Sequence, residues 1–186
     1  YLDYCDSLNN CQIGWVDLSS NKVSLFEMKN TKDIVSSTSS SADSRQLAIV
    51  IKEAANNYET SKIGLLDLEK NTYRPVTHSS TFKEWPAFSI DGKKIIYAQA
   101  GRVRKSGKTR FSGWDVYETD LPTGIERRLT EFCFFLIDRP RYLNDNKRFV
   151  FSGESPACNF PRPNTTHHDD SYSYRDYKVT QEGKEI

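Results

Sequence analysis

Two short patterns alternate along the chain and recur roughly every fifty residues, a period typical of modules that stack or radiate around an axis. The clearest copy of the first runs Glu84-Trp85-Pro86-Ala87-Phe88-Ser89-Ile90-Asp91-Gly92-Lys93-Lys94-Ile95-Ile96-Tyr97. Pro86 suits the opening of a strand, where its missing N–H costs least. Asp91-Gly92 is a hairpin turn in which glycine takes a positive φ. Lys94 to Tyr97 returns as a β-branched and aromatic strand. A second copy, Asp138 to Phe151, carries Asn146 where the first has Gly92, and asparagine tolerates the left-handed region better than most residues. A third and weaker copy, Ile34 to Val50, has neither the proline nor the glycine.

The second pattern is a strand followed by a polar turn and a return strand. Its copies are Ile13-Gly14-Trp15-Val16-Asp17-Leu18, Ile63-Gly64-Leu65-Leu66-Asp67-Leu68 and Asp115 to Leu121. The turns are Ser20-Asn21, Lys70-Asn71 and Thr123-Gly124. Leu47 to Ile51, Ile95 to Tyr97 and Phe149 to Phe151 are apolar at consecutive positions, which requires both faces of a sheet to be covered. Trp15, Trp85 and Trp114 are expected to fill the spaces between sheets.

These residues resemble the blade repeat of the TolB-type β-propellers. Pro86 to Ile95 matches the Pro-x-aromatic-Ser-x-Asp-Gly-Lys part of that repeat, and Asp115 to Thr130 matches the part closing on Leu129-Thr130. Ile90 departs from the second proline usual in the family. The resemblance implies an all-β fold, a β-propeller of four-stranded antiparallel blades with about three and a half blades present. Blades are expected at roughly residues 1–30 (partial), 34–77, 86–130 and 140–186 of a single domain. Such a ring is incomplete, or is completed by a partner or a second chain. A propeller fold is nearly silent on function.

Composition narrows the classes. At 186 residues and 37% hydrophobic the chain suits one domain with a real core. The net charge of +1 argues against a strongly basic nucleic-acid surface. No apolar run approaches a membrane span, so no membrane contact by this segment is expected. Cys5, Cys11, Cys133 and Cys158 allow three pairings. The blade reading selects Cys5–Cys11 and Cys133–Cys158, which implies a periplasmic or extracellular setting.

Candidate chemistry is sparse. Glu84-Trp85 and Asp138-Arg139 precede the innermost strands, and the resemblance sets that segment at the mouth of the central channel, where partner segments are contacted. Arg102, Arg104, Lys105, Lys108 and Arg110 crowd the segment Ala100 to Gly113, which reads as a long loop suited to an anionic partner. The bland alternative is a solvated, mobile run of like charge. His167-His168-Asp169-Asp170 has metal-ligand residue types but adjacent spacing, so no metal is expected. Gly153 to Ala157 lacks the context of a nucleophile elbow. No catalytic residues and no cofactor are assigned. The expectation is a non-catalytic extracytoplasmic module binding a protein or small ligand, such as the periplasmic sensor part of a CadC/ToxR-type membrane-anchored regulator. The alternative is the propeller of an enzyme, a prolyl-oligopeptidase-like peptidase or a propeller lyase.

Overall fold

The computed structural model describes residues 2–5, 11–26, 33–52, 60–79, 81–105, 108–131, 134–154 and 175–180. Among them every regular element is a β-strand, and the strands form four antiparallel sheets in chain order. The first holds β1 (Leu2–Cys5), β2 (Cys11–Asp17) and β3 (Lys22–Phe26). The second holds β4 (Asp33–Ser40), β5 (Gln46–Lys52), β6 (Ser61–Asp67) and β7 (Thr72–Pro75). The third holds β8 (Lys83–Phe88), β9 (Lys94–Lys105), β10 (Lys108–Asp120) and β11 (Glu126–Arg128). The fourth holds β12 (Ile137–Tyr142), β13 (Arg148–Gly153) and β14 (Arg175–Thr180). Each sheet is a meander of sequential neighbours. Of the first strands, β8 packs on both β4 and β12, which makes these three the inner strands.

The recurrent turns share one hydrogen-bond pattern. Ser41 and Ser89 hydroxyls each donate to the aspartate two residues on, Asp43 and Asp91, at 2.6 Å. Those carboxylates accept the amides of Arg45 and Lys93 at 3.1 Å, and Asp145 accepts Lys147 N at 2.9 Å. Ser44, Gly92 and Asn146 occupy equivalent left-handed positions at φ 58°, 68° and 54°. The weak copy therefore makes the same turn with serine in the glycine's place. In the second pattern Asp17, Asp67 and Asp120 accept amides from the turn that follows each. Asn21, Asn71 and Gly124 take positive φ there.

Consecutive apolar residues in β5 divide between the two faces. Leu47, Ile49 and Ile51 pack with Ile13 of the first sheet, whereas Ala48 and Val50 pack with Ile95 and Tyr97 of the third. Ile96 and Ala98 then meet Phe149 and Phe151 of the fourth. Every inner sheet is thus covered on both sides. Trp114 is buried in the last of these clusters, with Trp85 packed against it, and Trp15 packs against the first.

Polar groups also bridge the sheets. Lys83 is fully buried, and its ammonium donates to Ser61 O, Ser79 O and Thr81 Oγ1. Lys83 N donates to Ser61 Oγ at 2.7 Å, and that hydroxyl returns a bond to Lys83 O at 3.0 Å. Glu126 accepts the amides of His78 and Ser79 and the hydroxyl of Tyr97.

Two expectations change. Pro86 and Pro140 lie inside β8 and β12 rather than opening them, because the ladder breaks register between Glu84 and Ala87 and between Asp138 and Arg141. A proline at such a break removes no ladder hydrogen bond. Ala100 to Gly113 is no open loop. It is the far end of the β9–β10 hairpin, with Arg102 opposite Phe111, Arg104 opposite Thr109 and Lys105 opposite Lys108.

Candidate functional site: the inner rim

The sequence Glu84-Trp85-Pro86 recurs as Asp138-Arg139-Pro140, and both copies break the ladder at the same point. Glu84 pairs with Ala98 and Asp138 with Ser152 before the register shifts. Within each bulge the residue before proline is turned to positive φ, 54° at Trp85 and 48° at Arg139. A bulky side chain pays strain for that conformation, on the order of 1–3 kcal/mol, and such outliers concentrate at binding and catalytic sites. Its effect is to re-aim both side chains.

The two meet. Arg139 Cζ lies 5.2 Å from the Trp85 ring centroid, a cation–π contact between neighbouring inner strands. The Arg139 side chain is 66% exposed, and its Nε stands 3.6 Å from Asp138 Oδ1, beyond hydrogen-bond reach. Asp138 Oδ1 is buried without a hydrogen-bond partner, as are Gln99 Oε1 and Glu154 Oε2. Burial, and then the negative charge of Asp138, holds the Glu84 carboxyl above its ordinary pKa. The rim therefore offers an aromatic face, an exposed guanidinium and two acids, one of them, Asp138, with a buried oxygen short of a donor. That equipment recognises a cation or a hydrogen-bond donor.

Glu84, Trp85, Asp138 and Arg139 are thus brought together. Arg102, Arg104 and Lys105 are held on the two-stranded ribbon of β9 and β10 instead. The ribbon leaves the third sheet beyond Lys83, which pairs with Gln99, so it projects from the end of the sheet at which Glu84 sits. Cys5 and Cys11 are direct partners across β1 and β2. Cys133, Cys158 and the segment His167 to Asp170 lie outside the described residues. Among the described residues no group of three or more His, Cys, Asp or Glu side chains gathers as a metal site would require.

Little in the sequence warns of the buried polar groups. Glu118, 2% exposed on β10, accepts Arg127 Nε at 2.8 Å and the hydroxyl of Tyr142. Asp115 accepts Arg128 Nη2 at 2.6 Å and Thr130 Oγ1 at 2.8 Å. The signal available was an acidic residue in the middle of an otherwise strand-like run.

The sheets and their order define a partial β-propeller. Its fold is of the TolB type. TolB from Acinetobacter baumannii superposes with a TM-score of 0.62 at 20% identity, over 91% of this chain and 35% of that one. A putative TolB from Agrobacterium tumefaciens gives 0.68 at 14% identity, over 99% and 58%. The acylaminoacyl peptidase of Pyrococcus horikoshii gives 0.58 at 17% identity, over 84% and 25%. This chain therefore spans between a quarter and three fifths of these proteins, and at such identities the likeness is one of fold. No protein-family model matches. Among curated proteins, the pyridoxal 5'-phosphate synthase subunit PdxT of Thermotoga neapolitana is 36% identical over 64 residues. That stretch is 33% of this chain and 34% of PdxT, so the chain spans about a third of that relative.

Proposed function

We propose that the chain is a non-catalytic propeller module that takes a cationic segment of a protein, or a small cationic ligand, at the rim formed by Glu84, Trp85, Asp138 and Arg139. The observation carrying this reading is the pair of left-handed residues that stack Arg139 on Trp85 beside Asp138, whose buried Oδ1 has no hydrogen-bond partner. A ligand cation replaces Arg139 over the indole and supplies the missing donor. The test is a titration of short extended peptides, each bearing one Lys or Arg, followed by fluorescence. Saturable binding that is lost in the Glu84→Gln/Asp138→Asn double variant is the expected result. Equal binding by the double variant, or none by the unaltered chain, removes the reading.

The setting we propose is extracytoplasmic, with the sensor part of a membrane-anchored regulator as the specific role. Directly opposed residues of an antiparallel pair have Cα atoms about 4.5–5.5 Å apart, within the range a disulfide spans. The register of Cys5 on Cys11 supports a bridge there. Mass spectrometry after alkylation, with and without reduction, tests it: four alkylated thiols in the unreduced protein argue for a reducing compartment.

A second reading, the propeller of a peptidase, draws equal support from the likeness of fold to the acylaminoacyl peptidase. The cation-seeking chemistry of the rim favours the first.

A further inference from the structure

The third sheet has four strands over only part of its length. β8 follows β9 as far as Lys83 opposite Gln99, and Ala100 N then donates to Phe82 O at 2.9 Å. β11 follows β10 over residues 117–119, and Trp114 bridges to Phe134. Beyond those contacts residues 102–105 and 108–111 pair only with each other among the described residues. A bulge between Phe111 and Trp114, with Gly113 at φ 135°, bends β10 where this ribbon leaves the sheet. Each ribbon strand thus has an outer edge whose N–H and C=O groups lack a ladder partner among the described residues. Such an edge is a template for another extended chain.

Charge says what kind of chain. Residues 100–113 hold Arg102, Arg104, Lys105, Lys108 and Arg110 and no acid. Lys105 stands directly opposite Lys108, and like charges so opposed weaken a strand pair. Protection against edge-to-edge aggregation needs charge on an edge, but not like charges set against each other. The ribbon therefore carries a cost that an anionic partner offsets. The rest of the chain has 21 basic against 25 acidic residues, a net charge of −4. A long polyanion, or an anionic membrane surface, would be brought up against that acidic body. A short acidic strand confined to the ribbon would not.

Spacing agrees with this. Arg102 and Arg104 are two residues apart on β9, and Lys108 and Arg110 two apart on β10. Alternate positions of a strand recur at about 7 Å, so acids at alternate positions of an added strand repeat at the same interval. We infer that the β9–β10 ribbon takes an extended acidic segment of a partner protein as a third strand. Main-chain hydrogen bonds along the edge hold the segment, and its carboxylates meet the alternating cations. Nucleic acid and lipid have no backbone that could make the first of these contacts.

The probe is a short fluorescent peptide of alternating glutamate and threonine, titrated with the full chain and followed by anisotropy. Saturable binding is expected. One of two charge reversals, Arg102→Glu/Arg104→Glu or Lys108→Glu/Arg110→Glu, weakens it about tenfold, the loss of two modest ion pairs, and so names the edge. Both variants keep the parent's thermal midpoint, because the altered positions lie beyond the four-stranded part of the sheet. Methylating alternate peptide nitrogens keeps the charge and removes the edge hydrogen bonds, and this abolishes binding to the unaltered chain without relying on either variant. Glu84→Gln/Asp138→Asn leaves binding unchanged, which separates the ribbon from the rim. The inference is overturned by no saturable binding, by undiminished binding in both reversal variants, or by loss in the rim variant. It is equally overturned if the methylated peptide binds as well, or if an oligothymidylate of equal charge or phosphatidylglycerol vesicles bind more tightly.

Discussion

The hydroxyl of Tyr142 on β12 donates a hydrogen bond to Glu118 Oε2 on β10, joining the third and fourth sheets beside the apolar cluster they share. Burial and the adjacent carboxylate push the Tyr142 hydroxyl pKa strongly upward, which keeps it a donor throughout the accessible pH range. Lys94 and Arg127 complete the set around Glu118, at 3.4 and 2.8 Å.

Removing that carboxylate takes the acceptor from the Tyr142 hydroxyl and the counter-charge from Lys94 and Arg127. Glu118→Ala is expected to lower the unfolding free energy by about 3 kcal/mol, the range for breaking a buried pair from one side. Tyr142→Phe leaves Glu118 its two cations and should cost about 1 kcal/mol. Urea titrations of both variants measure the difference; equal losses would mean that the hydroxyl, not the ion pairs, holds the acid.

Glu84 gives stability a slope against pH. Its folded-state pKa lies above the ordinary value, so the folded chain holds a proton that the unfolded chain has released. Stability therefore falls as pH rises from the ordinary carboxyl range through the raised value, and stays lower beyond it. Glu84→Gln should abolish this slope and leave the protein more stable at neutral pH. A thermal midpoint for Glu84→Gln at or below that of the parent at pH 7 would contradict the assignment.

The turn aspartates act in the opposite sense. Backbone amides of Arg148 and Lys147, and then the Arg148 side chain, draw Asp145 down to about 2, and hydrogen bonds from Ser19 do the same for Asp17. What they contribute is fully present above the ordinary value of 3.8 and is lost as pH falls toward 2. Asp145→Asn should flatten this acid limb in circular dichroism. An unchanged limb would show that the exposed turn opens before the fold does.

Ser44 and Gly92 provide a matched pair. Both sit at left-handed φ in equivalent turns. Ser44→Gly relieves a side chain of that conformation and should stabilise by about 1 kcal/mol, whereas Gly92→Ala should destabilise by about as much. Differential scanning calorimetry on the two variants reads both signs, and a loss on Ser44→Gly would show that flexibility gained by the unfolded chain outweighs the relief.

These turns are also where the sequence was most legible. Asp91-Gly92 and Asp145-Asn146 announce themselves, whereas in the weak copy the polar run Ser36 to Ser41 looked like the turn; Ser36 to Ser40 is strand, and the turn follows it with Ser44 in the left-handed place. Leu47 to Ile51 announced burial on both faces, and β5 has it. The rim was legible through the repeated acid-x-proline motif, but its strain was not, because positive φ at Trp85 and Arg139 is imposed by the bulge and not by either residue's preference. Gly101 and Gly113 made the intervening cations look like a loop. Arg102-Val103-Arg104 and Thr109-Arg110-Phe111 nevertheless carry β-branched and aromatic residues on both sides of Ser106-Gly107, which is a hairpin pattern. Tyr142 was hidden as a partner of Glu118 because it arrives from a strand twenty-four residues away, a distance no local pattern spans.

Lys83 has a consequence for how the molecule comes apart. Its ammonium and amide tie β8 to Ser61 on β6, so neither strand can detach without abandoning a buried charge or a buried hydroxyl. The second and third sheets should accordingly open as one cooperative unit, with amides in β6 and β8 exchanging their hydrogens at a common rate. Fraying would then begin at the outlying sheets and stop at this lysine.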